Sequence, residues 1–173
     1  MTVALTVAGL VALLLTTVIV ARNWMKWRGA RLITCPENHR PAGVRVDAGR
    51  AALHGASDLR LKDCSRWPDK RDCGQECLRQ IENSPDGCLV RNILAQWYAG
   101  KDCVCCGAPL GHIDWHERKP ALMDPDGNTV EWHDILPQQV PDVLATHRPV
   151  CWNCHIVEGF RRQHPELVVE RPR

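Results

Sequence analysis

A chain of 173 residues with 22 basic and 20 acidic side chains carries a formal charge of +2. That field is too weak to hold a polyanion, so nucleic acid is not an expected partner. One Phe and one Tyr stand against seven Trp, twelve Pro and ten Cys. So little apolar material past Ala21 excludes a core held by burial alone, and the cysteines are expected to reinforce it as metal ligands or disulfides.

The chain opens with an uncharged run, Thr2 to Ala21, TVALTVAGLVALLLTTVIVA. About twenty helical residues span about 30 Å, the thickness of a bilayer's hydrocarbon layer. No Lys or Arg precedes this run, whereas Arg22, Lys26, Arg28 and Arg31 follow it. A secretory signal would show the opposite arrangement. The asymmetry predicts a single-pass protein of the cell membrane, with its N-terminus outside and its C-terminal domain in the cytoplasm. Residues 2–21 would contact the lipid bilayer, with Trp24 and Trp27 in the interfacial aromatic belt. Residues 1–33 are read as the anchor and juxtamembrane helix.

Residues 34–100 are read as a cysteine-containing hairpin plus helices. RLITCPENHRPAGVRVDA predicts a β-hairpin, with Val44 and Val46 alternating with Arg45 and Asp47. AGRAALHGAS, residues 48–57, is small and weakly patterned and is expected to be a linker. LRLKDC predicts a short strand. Asp72 is placed to cap a helix from Cys73 to Asn83. Ser84 as N-cap and Pro85 in the first turn predict a further helix to Gly100. Its apolar face would be Leu89, Val90, Ile93, Leu94, Trp97 and Tyr98.

Residues 101–173 have a different character. CVCCGAPLG predicts a tight turn, and HIDWHERKPALMDPDGNTVEWHDI predicts short strands around a Pro-Asp-Gly turn. PQQVPDVLATH predicts a short helix. A last helix is expected from Trp152 to His164, stopped by Pro165. The expected class is α+β: an N-terminal transmembrane helix, then a small cysteine-rich, metal-stabilised domain.

Cys103-x2-Cys106 and Cys151-x2-Cys154 are separated by 44 residues. Each C-x2-C turn sets two sulfurs on one side of a loop, and two such pairs complete a tetrahedron about one ion. Gly107 permits the closing turn. The second pair opens a helix whose N-terminal amides favour thiolates. Knuckle, hairpin-like strands and a helix carrying the last two ligands together resemble a treble-clef zinc finger over Cys103 to His164. The resemblance implies structural zinc. Cys151-Trp-Asn-Cys154-His155 also matches C-x-x-C-H, the attachment site of haem c. That alternative leaves Cys103 and Cys106 unexplained and conflicts with a cytoplasmic location. An iron–sulfur cluster is the other alternative.

A second metal site is expected from Cys35, Cys64, Cys73 and Cys77, the last two spaced i, i+4 on one helix face, with scattered buried thiols as the alternative. An extracellular domain would instead favour disulfides Cys64–Cys73 and Cys77–Cys88. Cys105 is expected to point away from the four ligands. His112-Ile-Asp114-Trp-His116 resembles the HNH-type nucleases. No Asn and His follow at the helix positions such enzymes use, so a metal-dependent hydrolase is the weakest reading. His116 or His133 is placed to support a metal-bound thiolate by hydrogen bonding. Arg161 and Arg162 read as a solvated face.

No serine-hydrolase elbow, P-loop or dinucleotide fingerprint is present. The expected role is therefore non-enzymatic: a zinc-binding accessory subunit or adaptor of a membrane complex, with other membrane-complex subunits as partners. The alternative is an electron-transfer subunit.

Overall fold

A computed structural model describes residues 2–55, 58–67, 69–111, 113–115, 117 and 119–167. The chain forms two compact units, Met1–Asn92 and Ile93–Arg173.

The first unit begins with helix α1, Thr2–Trp27. It is long and apolar enough to cross a membrane: the span from Thr6 to Trp27 has a mean hydropathy of 1.7, and its most apolar eighteen residues are not buried inside the protein. The two hydroxyls in its middle are satisfied internally. Thr16 donates to the carbonyls of Ala12 and Leu13, and Thr17 to that of Leu14. Such bonding suits a helix side that meets no water.

Gly29, at φ +107°, turns the chain out of α1 into strand β1, Ala30–Thr34. The backbone there favours glycine, and a Cβ would press on Leu89 Cδ1 at 3.0 Å. Strands β1, β2 (Pro41–Val46) and β3 (Leu61–Cys64) form an antiparallel meander with Leu32 opposite Gly43 and Val44 opposite Cys64. Ala42, Val44 and Val46 are buried, while Arg45 faces out and pairs with Asp63 at 2.7 Å. Trp27, Ile33, Leu61 and Ile81 complete the core. Trp27 is thus a core residue and not part of an interfacial belt.

Three local expectations are corrected by tertiary contacts. The expected linker contains helix α2, Ala48–His54, capped by the Asp47 side chain on the Arg50 amide at 3.0 Å. Ala51 and Ala52 are buried, and α2 packs along the Thr16–Trp24 portion of α1. Small residues make that close approach possible and also weaken the periodic signal.

The helix expected from Cys73 begins at Leu78 (α3, Leu78–Asn83). Gln75 adopts φ +55° and its side chain accepts from the Leu61 amide at 2.9 Å, which breaks any helix through it. Cys73 and Cys77 therefore do not share a helix face; Cys77 is the N-cap of α3.

Helix α4, Val90–Tyr98, starts five residues past Pro85. The Cys88 carbonyl is taken by the Leu32 amide at 2.8 Å, and Leu89 bridges Arg31. Edge pairing to β1 displaces the first turn. Arg31 is fully buried there, donating to the carbonyls of Pro85 at 2.6 Å and Lys26 at 2.8 Å.

In the second unit α4 ends at Tyr98, and Gly100, φ +71°, turns the chain away from it. Buried Tyr98 anchors this unit: its hydroxyl donates to the Ala121 carbonyl at 2.7 Å and accepts from Trp132 Nε1 at 3.0 Å. Strands β4 (Ala121–Met123), β5 (Thr129–Val130) and β6 (Arg148–Val150) form an antiparallel sheet in the order β5-β4-β6. The β4–β5 turn is closed by Asp124 accepting from the Asn128 amide at 2.7 Å, with Gly127 at φ +88°. Helix α5, Val140–Thr146, leads into β6, and β6 leads directly into α6, Trp152–Gln163. Arg162 is not merely solvated: it donates to Thr129 Oγ1 at 2.8 Å and ties α6 to β5.

Candidate metal centre

The centre starts with a backbone turn. The Cys103 amide donates to the Ala108 carbonyl, and the Gly107 amide to the Cys103 carbonyl, each at 2.8 Å. Gly107 has φ +71°, where a side chain would be strained. The Val104 amide donates to the Pro149 carbonyl at 3.0 Å, fixing the turn against β6. Cys151 is the N-cap of α6 and Cys154 lies in its first turn. Sheet and turn together bring both cysteine pairs to one place.

The sulfurs of Cys103, Cys106, Cys151 and Cys154 all lie within 4.8 Å of one another. Cys106 and Cys151 are 3.7 Å apart. Four thiolates about 2.3 Å from one tetrahedral ion would stand about 3.8 Å apart. An inorganic cluster would sit between its thiolates and hold them farther apart. The donor set therefore suits one metal ion.

The surroundings prepare the charge. Burial alone would raise the Cys103 thiol, but the amides of Cys151, Cys106 and Cys105 outweigh it and hold it at about 6. The Cys151 amide lies 3.2 Å from this sulfur. Cys154 is pushed the other way, by burial and then by sharing hydrogen bonds with Cys106, Cys151 and Cys103. Cys154 thus keeps a proton that a cation would displace.

The neighbours differ from expectation. Cys105 is exposed, yet its thiol interacts with Cys103 and Cys154 and does not turn away. His133 is directed to Glu131 and Asp134, at 3.0 and 3.1 Å, and not to a thiolate. His155 is nearly buried, with Nε2 3.2 Å from Glu131 Oε1. Sequence reasoning missed that Glu131 serves both histidines, because the three residues come from two separate segments. His112 and His116 lie outside the described residues.

All ten cysteines are free thiols. Cys35, Cys64, Cys73 and Cys77 line one cavity of the first unit, about 160 Å³ in volume. They do not converge as tightly. Among the described residues, the C-terminal four alone form a set of three or more potential ligands whose donor atoms all lie within 4.8 Å. Cys88 does not line that cavity; its thiol lies 3.6 Å from the Gln80 carbonyl. Arg66, which no sequence pattern singled out, donates to Cys35 Sγ at 2.8 Å.

Compared with known proteins, no family model matches the chain, no curated protein matches it and no solved structure matches it.

Proposed function

We propose that Cys103, Cys106, Cys151 and Cys154 hold one structural zinc ion in a treble-clef-like module. The carrying observation is the convergence of the four sulfurs within 4.8 Å, with one separation at the edge length of a zinc–thiolate tetrahedron. The order of parts supports the module: knuckle turn, β4–β5 hairpin, then α6 bearing the last two ligands. A haem at Cys151-x2-Cys154-His155 fits less well, because the imidazole is engaged by Glu131 and the two sulfurs are drawn to Cys103 and Cys106.

The chain is read as a single-pass membrane protein with its N-terminus outside and its cysteine-rich domain in the cytoplasm. Arg22, Lys26 and Arg28, just past the apolar run, support that orientation, and a reducing cytoplasm keeps thiols available to metal. A saturated coordination sphere favours a structural role over a catalytic one. The reading is an accessory subunit or adaptor of a membrane protein complex. Ile156, Val157 and Phe160, each about half exposed on α6, supply an apolar face for a partner subunit.

Metal analysis of the detergent-purified full chain tests this. The expected protein is colourless, retains zinc at the C-terminal centre and loses it on Cys154→Ser. A Soret band, or brown colour with stoichiometric iron, would establish the electron-transfer reading instead. A reporter fused after Arg173 is expected to be active in the cytoplasm.

A further inference from the structure

The ligand turn of the second unit has a counterpart in the first. The Cys35 amide donates to the Arg40 carbonyl, and the His39 amide to the Cys35 carbonyl, each at 2.9 Å. Cys103, Ala108 and Gly107 make the same two bonds at 2.8 Å. His39 adopts φ +54° where Gly107 adopts +71°. In each turn the sulfur of the first residue accepts from the amides two and three positions on: Glu37 and Asn38 for Cys35, Cys105 and Cys106 for Cys103. The Cys35 turn is therefore a sulfur-cradling knuckle in which Asn38 stands where the other has its second cysteine. A left-handed histidine is an uncommon choice, and something must hold it.

The rest of a ligand set lies beside it. Cys64 ends β3, and Cys73 and Cys77 flank the left-handed Gln75 before α3. With Cys35 they line the same cavity, together with Arg66, Lys70, Glu37 and Glu76. Cys64 and Cys77 are buried; Cys35 and Cys73 are partly exposed. The four cysteines share the wall of this cavity of about 160 Å³, which has room for an ion.

We propose that Cys35, Cys64, Cys73 and Cys77 form a second zinc site, distinct from the C-terminal centre, in which the Cys35 turn serves as a one-cysteine knuckle. Zinc is the ion class that four cysteines at a closed structural site select. The Arg66 guanidinium, 2.8 Å from Cys35 Sγ, offsets the negative charge that four thiolates leave around a divalent ion. The Cys73–Cys77 segment closes on the ion to complete the tetrahedron. The site requires reduced thiols and so agrees with the cytoplasmic reading, but its test under reductant is independent of topology.

The test is zinc content of the full chain in detergent under reducing conditions, with cysteine alkylation mapped by peptide mass spectrometry. The expected stoichiometry is two zinc for the wild type, one for Cys35→Ser/Cys77→Ser and one for Cys103→Ser/Cys106→Ser. Cys35, Cys64, Cys73 and Cys77 should resist alkylation until a chelator is added. Asn38→Cys, which completes the knuckle, should restore the second equivalent to Cys73→Ser. If a Cys103→Ser/Cys106→Ser chain misfolds, alkylation protection of the N-terminal four in the wild type still decides. One zinc in the wild type with those four alkylated freely, or a disulfide among them in freshly reduced protein, would overturn the second site while leaving the C-terminal centre standing. Loss of zinc from the Cys35→Ser/Cys77→Ser chain alone, with the Cys103→Ser/Cys106→Ser chain keeping the wild-type content, would do the reverse.

Discussion

The two units solve the same shortage of apolar residues differently. The first has a contiguous core of Trp27, Ile33, Val44, Val46, Leu61 and Ile81, and its cysteines sit along one edge of that core. The second has strands of two or three residues and small clusters around Tyr98 and Cys103. Its ligand turn meets β6 through the Val104 amide and the Pro149 carbonyl, and the four thiols converge beside that single bond. Metal should therefore be indispensable to the second fold and supplementary to the first.

The largest expected effect follows from that contrast. Cys154→Ser, or stripping zinc with a chelator, should unfold the second unit, since structural zinc supplies about 10–16 kcal/mol of folding free energy in small modules. Limited proteolysis should then cut after about residue 100 and spare the first unit; equal digestion of both would break the comparison. Tyr98→Phe should come next. It strands the Ala121 carbonyl and Trp132 Nε1, two partners of the Tyr98 hydroxyl, and should cost about 1–3 kcal/mol by denaturant melting of the second unit. Gly107→Ala forces a side chain into a left-handed position and should cost about 1–2 kcal/mol, with faster zinc loss to a chromophoric chelator. At the small end, Arg45→Ala removes an exposed pair with Asp63 and should shift stability by less than about 1 kcal/mol.

Legibility from sequence followed the range of the determining contacts. The apolar helix, the Pro41–Val46 strand with its alternating pattern, and the two C-x2-C pairs are local signals, and each was readable. The α2 helix was not, because Ala51 and Ala52 carry no periodic signature until α1 is placed beside them. The start of α4 was misplaced because a β1 amide 56 positions earlier in the chain, that of Leu32, takes the Cys88 carbonyl. The Cys35 knuckle escaped notice because His39 and Asn38 replace the Gly and Cys that make the Cys103 turn recognisable.

Helix α1 does not end in a tether. Trp27 is sunk in the first unit's core, Gly29 turns at once into β1, and Arg31 clamps the Lys26 carbonyl. Such a junction has no swivel. A tilt of the helix is therefore expected to carry the attached sheet, and with it the Cys35 cavity, as through a lever arm.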